Sequence, residues 1–162
     1  MLYDPIRHEP LTATRWSEAE ANAAIQRIVG DSVAQFDHSG LWPPHPLDDP
    51  RDEFPFYTPY SGAAGVILAL QRLRDAGLAG DFPDFVPVID GLLEGTRRST
   101  SEGKGLPSLL LGECGILLQW QTSPSAALAD AIHRTVERNL RNPTRESLLG
   151  SPGTLLAAIL MH

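Results

Sequence analysis

Apolar residues along this chain recur in two alternating kinds of helical segment. The first is one-sided: Ile25, Ile28, Val29, Val33 and Phe36 follow helical spacing, while Glu18, Arg27 and Asp31 occupy the other faces. Ser17 followed by Glu20 has capping-box spacing and sets the start of this helix. Next comes YSGAAGVILALQRLRDAG, in which Ala64, Val66, Ile67, Leu68, Leu70 and Leu73 leave almost no polar face, so a buried helix is expected. Ser61 stands at its N-cap place and Gly77 at its C-cap place. Phe85, Ile89, Leu92 and Leu93 form a second one-sided stripe, which Pro87 should begin or kink. LLLGECGILLQW is again apolar all round. Leu128, Ile132, Val136 and Leu140 make a third amphipathic helix, and LGSPGTLLAAILMH a third buried one.

This order, amphipathic then buried three times over, is a repeat. Each buried segment opens on a glycine pair: Gly62 and Gly65, Gly112 and Gly115, Gly150 and Gly153. The first glycines are separated by 50 and then 38 residues, a period of one helical hairpin. Two glycines three apart share one side of a first turn and let another backbone approach closely. No run with a period of two competes, so the fold class predicted is all-α. The arrangement is a partial α/α toroid of about three hairpins with inner and outer helices, or an ordinary helical bundle whose glycines only relieve crowding. Between the first two helices, residues 40–59 hold six prolines and exclude both helix and central strand. The organisation predicted is residues 1–55 as an N-terminal amphipathic helix with a proline-rich loop, and 56–162 as the hairpin repeats.

Composition narrows the function. Of 162 residues 42% are hydrophobic, enough for one core, and 13 basic against 20 acidic residues give a charge of -7. No basic stripe could anchor a phosphate backbone, so nucleic acid is not an expected partner. No apolar run approaches the roughly 20 residues that span a bilayer, and the opening lacks a secretory pattern. No membrane partner is therefore expected, and a cytoplasmic location is. Cys114 is the sole cysteine, which fits a reducing compartment and rules out a cysteine-rich zinc cage.

TPYSGAAGVILALQRL, LLLGECGILLQW and especially ESLLGSPGTLLAAILMH resemble the inner-helix starts of the lanthionine synthetase C-like (LanC-like) family, over about residues 56–162. The resemblance implies an α/α toroid of seven hairpins, of which this chain would hold the first three, inactive alone. Cyclases of that family add a peptide cysteine thiol to a dehydrated Ser or Thr on a zinc held by two cysteines and a histidine, and eukaryotic relatives bind glutathione. Those ligands belong to later repeats. At the matching places here stand Tyr60-Ser61, Leu110-Leu111 and Leu148-Leu149, so no metal ligand carries over and no cofactor is expected in this chain. A peptide or a glutathione-like thiol is the ligand class implied. Whether the chain is an enzyme stays open. The alternatives are a six-hairpin-glycosidase-like protein, with Glu113 and Glu146 as the carboxylate pair to test, and a non-catalytic helical scaffold that binds peptide.

Candidate ligand-binding residues are Tyr57, Tyr60, Ser61, Glu113, Glu146 and Ser151, which flank the inner-helix starts. If those starts converge, their free N–H groups form an electropositive funnel suited to a carboxylate or thiolate. The plainer reading is local: Ser61 and Ser151 cap their helices and Glu113 favours a first turn. His45, Asp48, Asp49, Asp52 and Glu53 form the densest polar cluster, read either as a solvated acidic loop or as a lip over the toroid mouth. Cys114 reads as a small packed side chain. A ring of only three hairpins should leave inner flanks uncovered around Ile67, Leu117, Leu155 and Ile159, which predicts a homo-oligomer.

Overall fold

A computed structural model describes residues 15–45, 55–99, 105–119 and 125–161. Six α-helices make up the fold: α1 (Glu18–Ala34), α2 (Ala63–Asp75), α3 (Val86–Arg98), α4 (Glu113–Leu118), α5 (Ala126–Asn139) and α6 (Ser151–Leu160). Among the described residues there is no strand, and the protein is all-α. None of the helices is long and apolar enough to cross a membrane.

Local chemistry accounts for several helix ends. Ser17 caps α1, its hydroxyl accepting from the Glu20 N–H at 3.3 Å, and Ser125 caps α5 in the same way through the Leu128 N–H at 3.1 Å. Pro87 lies in the first turn of α3, where its missing N–H costs nothing. Beyond α2, Gly77 takes φ +69. Its N–H bonds the Arg74 carbonyl at 2.9 Å while Leu78 reaches back to Leu73 at 2.8 Å, the Schellman arrangement.

Helices α2, α4 and α6 open on the three glycine pairs, with α3 packed between α2 and α4, and α5 between α4 and α6. The largest core cluster joins Val29 of α1 with Ile67 and Leu70 of α2 and with Phe85, Ile89 and Leu92 around α3. Phe36 and Trp42 extend it in an aromatic group around Phe85, with ring centroids 4.9 and 5.5 Å away. A second cluster sets Cys114 against Leu109 and Ala157, and a third sets Leu117 against Leu128 and Ile132. Helix α4 therefore has α6 on one flank and α5 on another.

Several expectations need correction. Ser61 and Ser151 are not N-caps: the caps of α2, α4 and α6 are Gly62, Gly112 and Gly150, without any side-chain cap bond. At α2 and α4 a loop carbonyl takes the place of the capping side chain, as described below. Helix α4 is a short 6 residues, because Leu109, Leu110 and Leu111 belong to that loop. Leu140 lies past the end of α5 and is exposed, as is Ile28 on α1. The apolar helices are not buried all round. Ile67 and Leu117, expected to be uncovered, are 0% and 5% exposed, whereas Leu155 and Ile159 on α6 are 60% and 62% exposed.

Candidate functional site

The three helix mouths are built alike. A Cβ placed on Gly62 would come closer than 3.0 Å to the backbone of Phe56, and one on Gly65 to that of Pro59. Gly112 and Gly115 stand in the same relation to Leu106 and Leu109, and Gly150 and Gly153 to Thr144 and Ser147. Each glycine thus seats the backbone of the residue six positions before it, so the entering loop folds flat over the first turn of its own helix. Only a residue without a Cβ permits that approach. The motif Gly-x-x-Gly is the footprint of this loop.

Successive mouths also touch in register. Gly115 receives the Pro59 ring, with Pro59 Cγ 2.6 Å from where a Cβ would stand, and Gly153 receives Leu109, at 3.1 Å from its Cβ. Pro59 and Leu109 hold the same place, three residues before the first glycine of their pairs. The Tyr60 N–H donates to the Leu110 carbonyl at 3.0 Å, again joining equivalent positions. Gln119 at the end of α4 returns to α2, its amide donating to the Ala64 carbonyl at 2.6 Å. The starts of α2 and α4, and those of α4 and α6, are therefore brought together.

The loop that covers each mouth also takes up helix donors. Ala63 and Ala64 donate to the Phe56 and Tyr57 carbonyls at 3.0 and 3.2 Å, Glu113 to Leu106 at 2.9 Å, and Gly62 and Gly150 to Thr58 and Glu146 at 2.9 and 3.1 Å. At α2 and α4 part of the positive helix end is thus taken up by peptide carbonyls, whereas at α6 the bond to the loop is made by the N-cap Gly150.

Glu113 is the best-held charge among the described residues. It sits in the first turn of α4, 3% exposed, between two arginines from the last turns of α3 and α5. Arg97 Nε and Nη2 reach its two carboxylate oxygens at 3.1 and 3.2 Å, and Arg138 Nη1 reaches one of them at 3.3 Å. Arg138 also bonds the Gly105 carbonyl. The hydrogen bond that Arg97 donates to Glu113 raises the pKa of Arg97. No motif marks either arginine; a cation in the last turn of α3 and of α5 was the available signal.

The other predicted positions fall into different surroundings. Tyr57 packs on Gly95 of α3 and is half-buried. Tyr60 and Ser61 are exposed beside the first mouth, and Ser151 is half-exposed at the third. Glu146 turns onto its own loop, accepting from the Leu148 and Leu149 N–H groups, the latter at 2.8 Å. Glu113 and Glu146 thus belong to separate hydrogen-bond networks. Of the polar loop cluster, His45 is exposed, and Asp48, Asp49, Asp52 and Glu53 lie outside the described residues.

Cys114 is fully buried, and desolvation pushes its thiol up to about 11. A protonated thiol walled in by Leu109 and Ala157 does not suit a zinc ion, which takes thiolate. Among the described residues, no three His, Cys, Asp or Glu side chains gather closely enough to hold a metal. Cys114 is expected to resist a disulfide reagent at pH 8 in the folded protein and to react at once in denaturant. Rapid reaction without denaturant would show that α4 and α6 separate there.

Compared with protein-family models, curated proteins and solved structures, the chain matches none.

Proposed function

We propose that this chain is a three-hairpin arc of an α/α toroid of the LanC-like kind, a cytoplasmic helical scaffold that binds peptide or a glutathione-like thiol at its mouth and carries out no chemistry alone. One observation carries the reading. Three glycine-paired helix starts, each roofed by its own loop, are laid side by side with Pro59 on Gly115 and Leu109 on Gly153. Tyr60 and Ser61, exposed at the first start, and Ser151, half-exposed at the third, would offer a ligand an aromatic face and two hydroxyls.

The glycosidase alternative is less well supported, because it needs two carboxylates free to exchange protons and to face a sugar between them. Glu113 is clamped by Arg97 and Arg138, and Glu146 is bonded to backbone. Nuclear magnetic resonance of the ¹⁵N-labelled chain, titrated with glutathione and with a cysteine-containing peptide, tests the proposal. Shifts should concentrate at Tyr60, Ser61 and Ser151. A spectrum unmoved by either ligand, or hydrolysis of oligosaccharides by the purified chain, would overturn it.

A further inference from the structure

Helix α3 carries two glycines one turn apart, Gly91 and Gly95, and the two have different surroundings. A Cβ on Gly95 would strike the Tyr57 ring, three of whose atoms stand 2.2–2.5 Å from that place. Gly95 therefore seats an aromatic ring. A Cβ on Gly91 would meet nothing within 4 Å among the described residues. A glycine inside a helix lowers its stability relative to alanine, and at Gly91 no described neighbour needs the space. Gly91 instead lines a cleft of about 320 Å³, which Tyr57, Pro55 and Pro87 also line and to which His38 and Ser39 add polar groups. Its size falls within the roughly 300–1,000 Å³ of small-ligand sites.

The loop that brings the polar groups is braced. Asp37 and Leu41 each donate an N–H to the other's carbonyl, at 2.8 and 2.7 Å, and the Asp37 carboxylate accepts from the Ser39 and Gly40 N–H groups at 2.9 and 2.8 Å. This closure leaves Leu41 at φ +59, a left-handed conformation disfavoured for any residue with a Cβ, while its side chain is buried in the first core cluster. The His38 ring meets Phe36 edge-on, with centroids 5.0 Å apart, and Phe36 in turn packs on Phe85. Backbone strain of this kind concentrates where a ligand is clamped.

We propose that this cleft binds an aromatic ring carrying a hydroxyl, laid on the bare backbone at Gly91 beside Tyr57. One turn of helix separates the two glycines, a rise of about 6 Å. Rings seated on both would stand at the roughly 4.5–7 Å between centroids that aromatic pairs prefer. The His38 imidazole and the Ser39 hydroxyl can each exchange a hydrogen bond with the ligand's hydroxyl. Tyr60, Ser61 and Ser151 take no part, so this site stands or falls apart from the ligand proposed for the mouth. A free phenol and the tyrosine side chain of a peptide share the chemistry.

Nuclear magnetic resonance of the ¹⁵N-labelled chain, titrated separately with p-cresol, N-acetyl-tyrosinamide and 4-methylcyclohexanol, tests the site. Saturable shifts at Ser39, Tyr57 and Gly91 are expected with p-cresol at millimolar concentration. The cyclohexanol keeps the hydroxyl but lacks the π face, and should bind about two- to tenfold more weakly. The same shifts with N-acetyl-tyrosinamide support a peptide source, and shifts with p-cresol alone support a free phenol. Gly91→Leu grows a side chain into open space, so it should keep the far-ultraviolet circular dichroism and abolish the p-cresol shifts. His38→Ala, at an exposed position, should weaken p-cresol about two- to tenfold and leave toluene unchanged. The proposal is overturned by equal binding of p-cresol and the cyclohexanol, by p-cresol shifts that persist in Gly91→Leu, by equal weakening of p-cresol and toluene in His38→Ala, or by the lack of any saturable shift.

Discussion

Gly115→Ala is expected to destabilise the protein by about 3 kcal/mol, at the upper end of what overpacking a core costs. The new methyl would meet two obstacles. The Leu109 carbonyl is backbone, and Pro59 Cγ, 2.6 Å away, belongs to a ring that cannot rotate aside. Relief requires the second mouth to lift from the first, and that would strain the Tyr60 to Leu110 hydrogen bond as well. In a chain of this size the loss corresponds to a Tm lower by about 10 °C. Gly30→Ala is the matched control. Gly30 lies inside α1 with nothing within 4 Å of a new Cβ, so this change should raise stability by about 0.5–1 kcal/mol through helix propensity. Urea unfolding followed by circular dichroism separates the two. Equal effects would mean that the mouths do not stack as described.

Removing both arginines around Glu113 is expected to cost more than removing them one at a time. Arg97→Ala leaves the carboxylate with Arg138, and Arg138→Ala leaves it with Arg97, so each single change should cost about 1 kcal/mol. Both side chains are 50% exposed, and solvent screening keeps the single effects small. The double variant leaves a carboxylate 4% exposed with no cation, a situation that costs about 3–5 kcal/mol when a buried pair is broken. A double-mutant cycle measured by urea unfolding should therefore show coupling above about 1 kcal/mol. Strict additivity would show that Glu113 draws its stabilisation from elsewhere, such as the first turn of α4.

Helix existence and order were legible from the amino-acid pattern, because amphipathic spacing and capping chemistry act within a few residues. Ser17 with Glu20 marks the start of α1, Pro87 lies in the first turn of α3, and Gly77 follows the end of α2. The glycine pairs pointed to close approach. What approaches was not legible: glycine records that space is needed, not that the space is filled by the chain's own loop six residues back and by the preceding repeat. For the same reason Ser61 looked like a cap, when the Phe56 and Tyr57 carbonyls already do that work, and Ser151 looked like one although Gly150 holds that place.

The candidate site divides along the same line. Cys114 as a packed side chain followed from residue type, since a lone apolar-flanked thiol is more stable protonated and buried. The fate of Glu113 did not, because its partners Arg97 and Arg138 are 16 and 25 residues away and meet it only after α3, α4 and α5 pack. Nor could periodicity tell Ile67 and Leu117 from Leu155, since all three hold one place in the repeat. Local spacing settles which face of a helix is apolar. Only packing between helices settles whether a neighbour exists to bury it, and here it exists for the first two repeats and is missing, among the described residues, for the third.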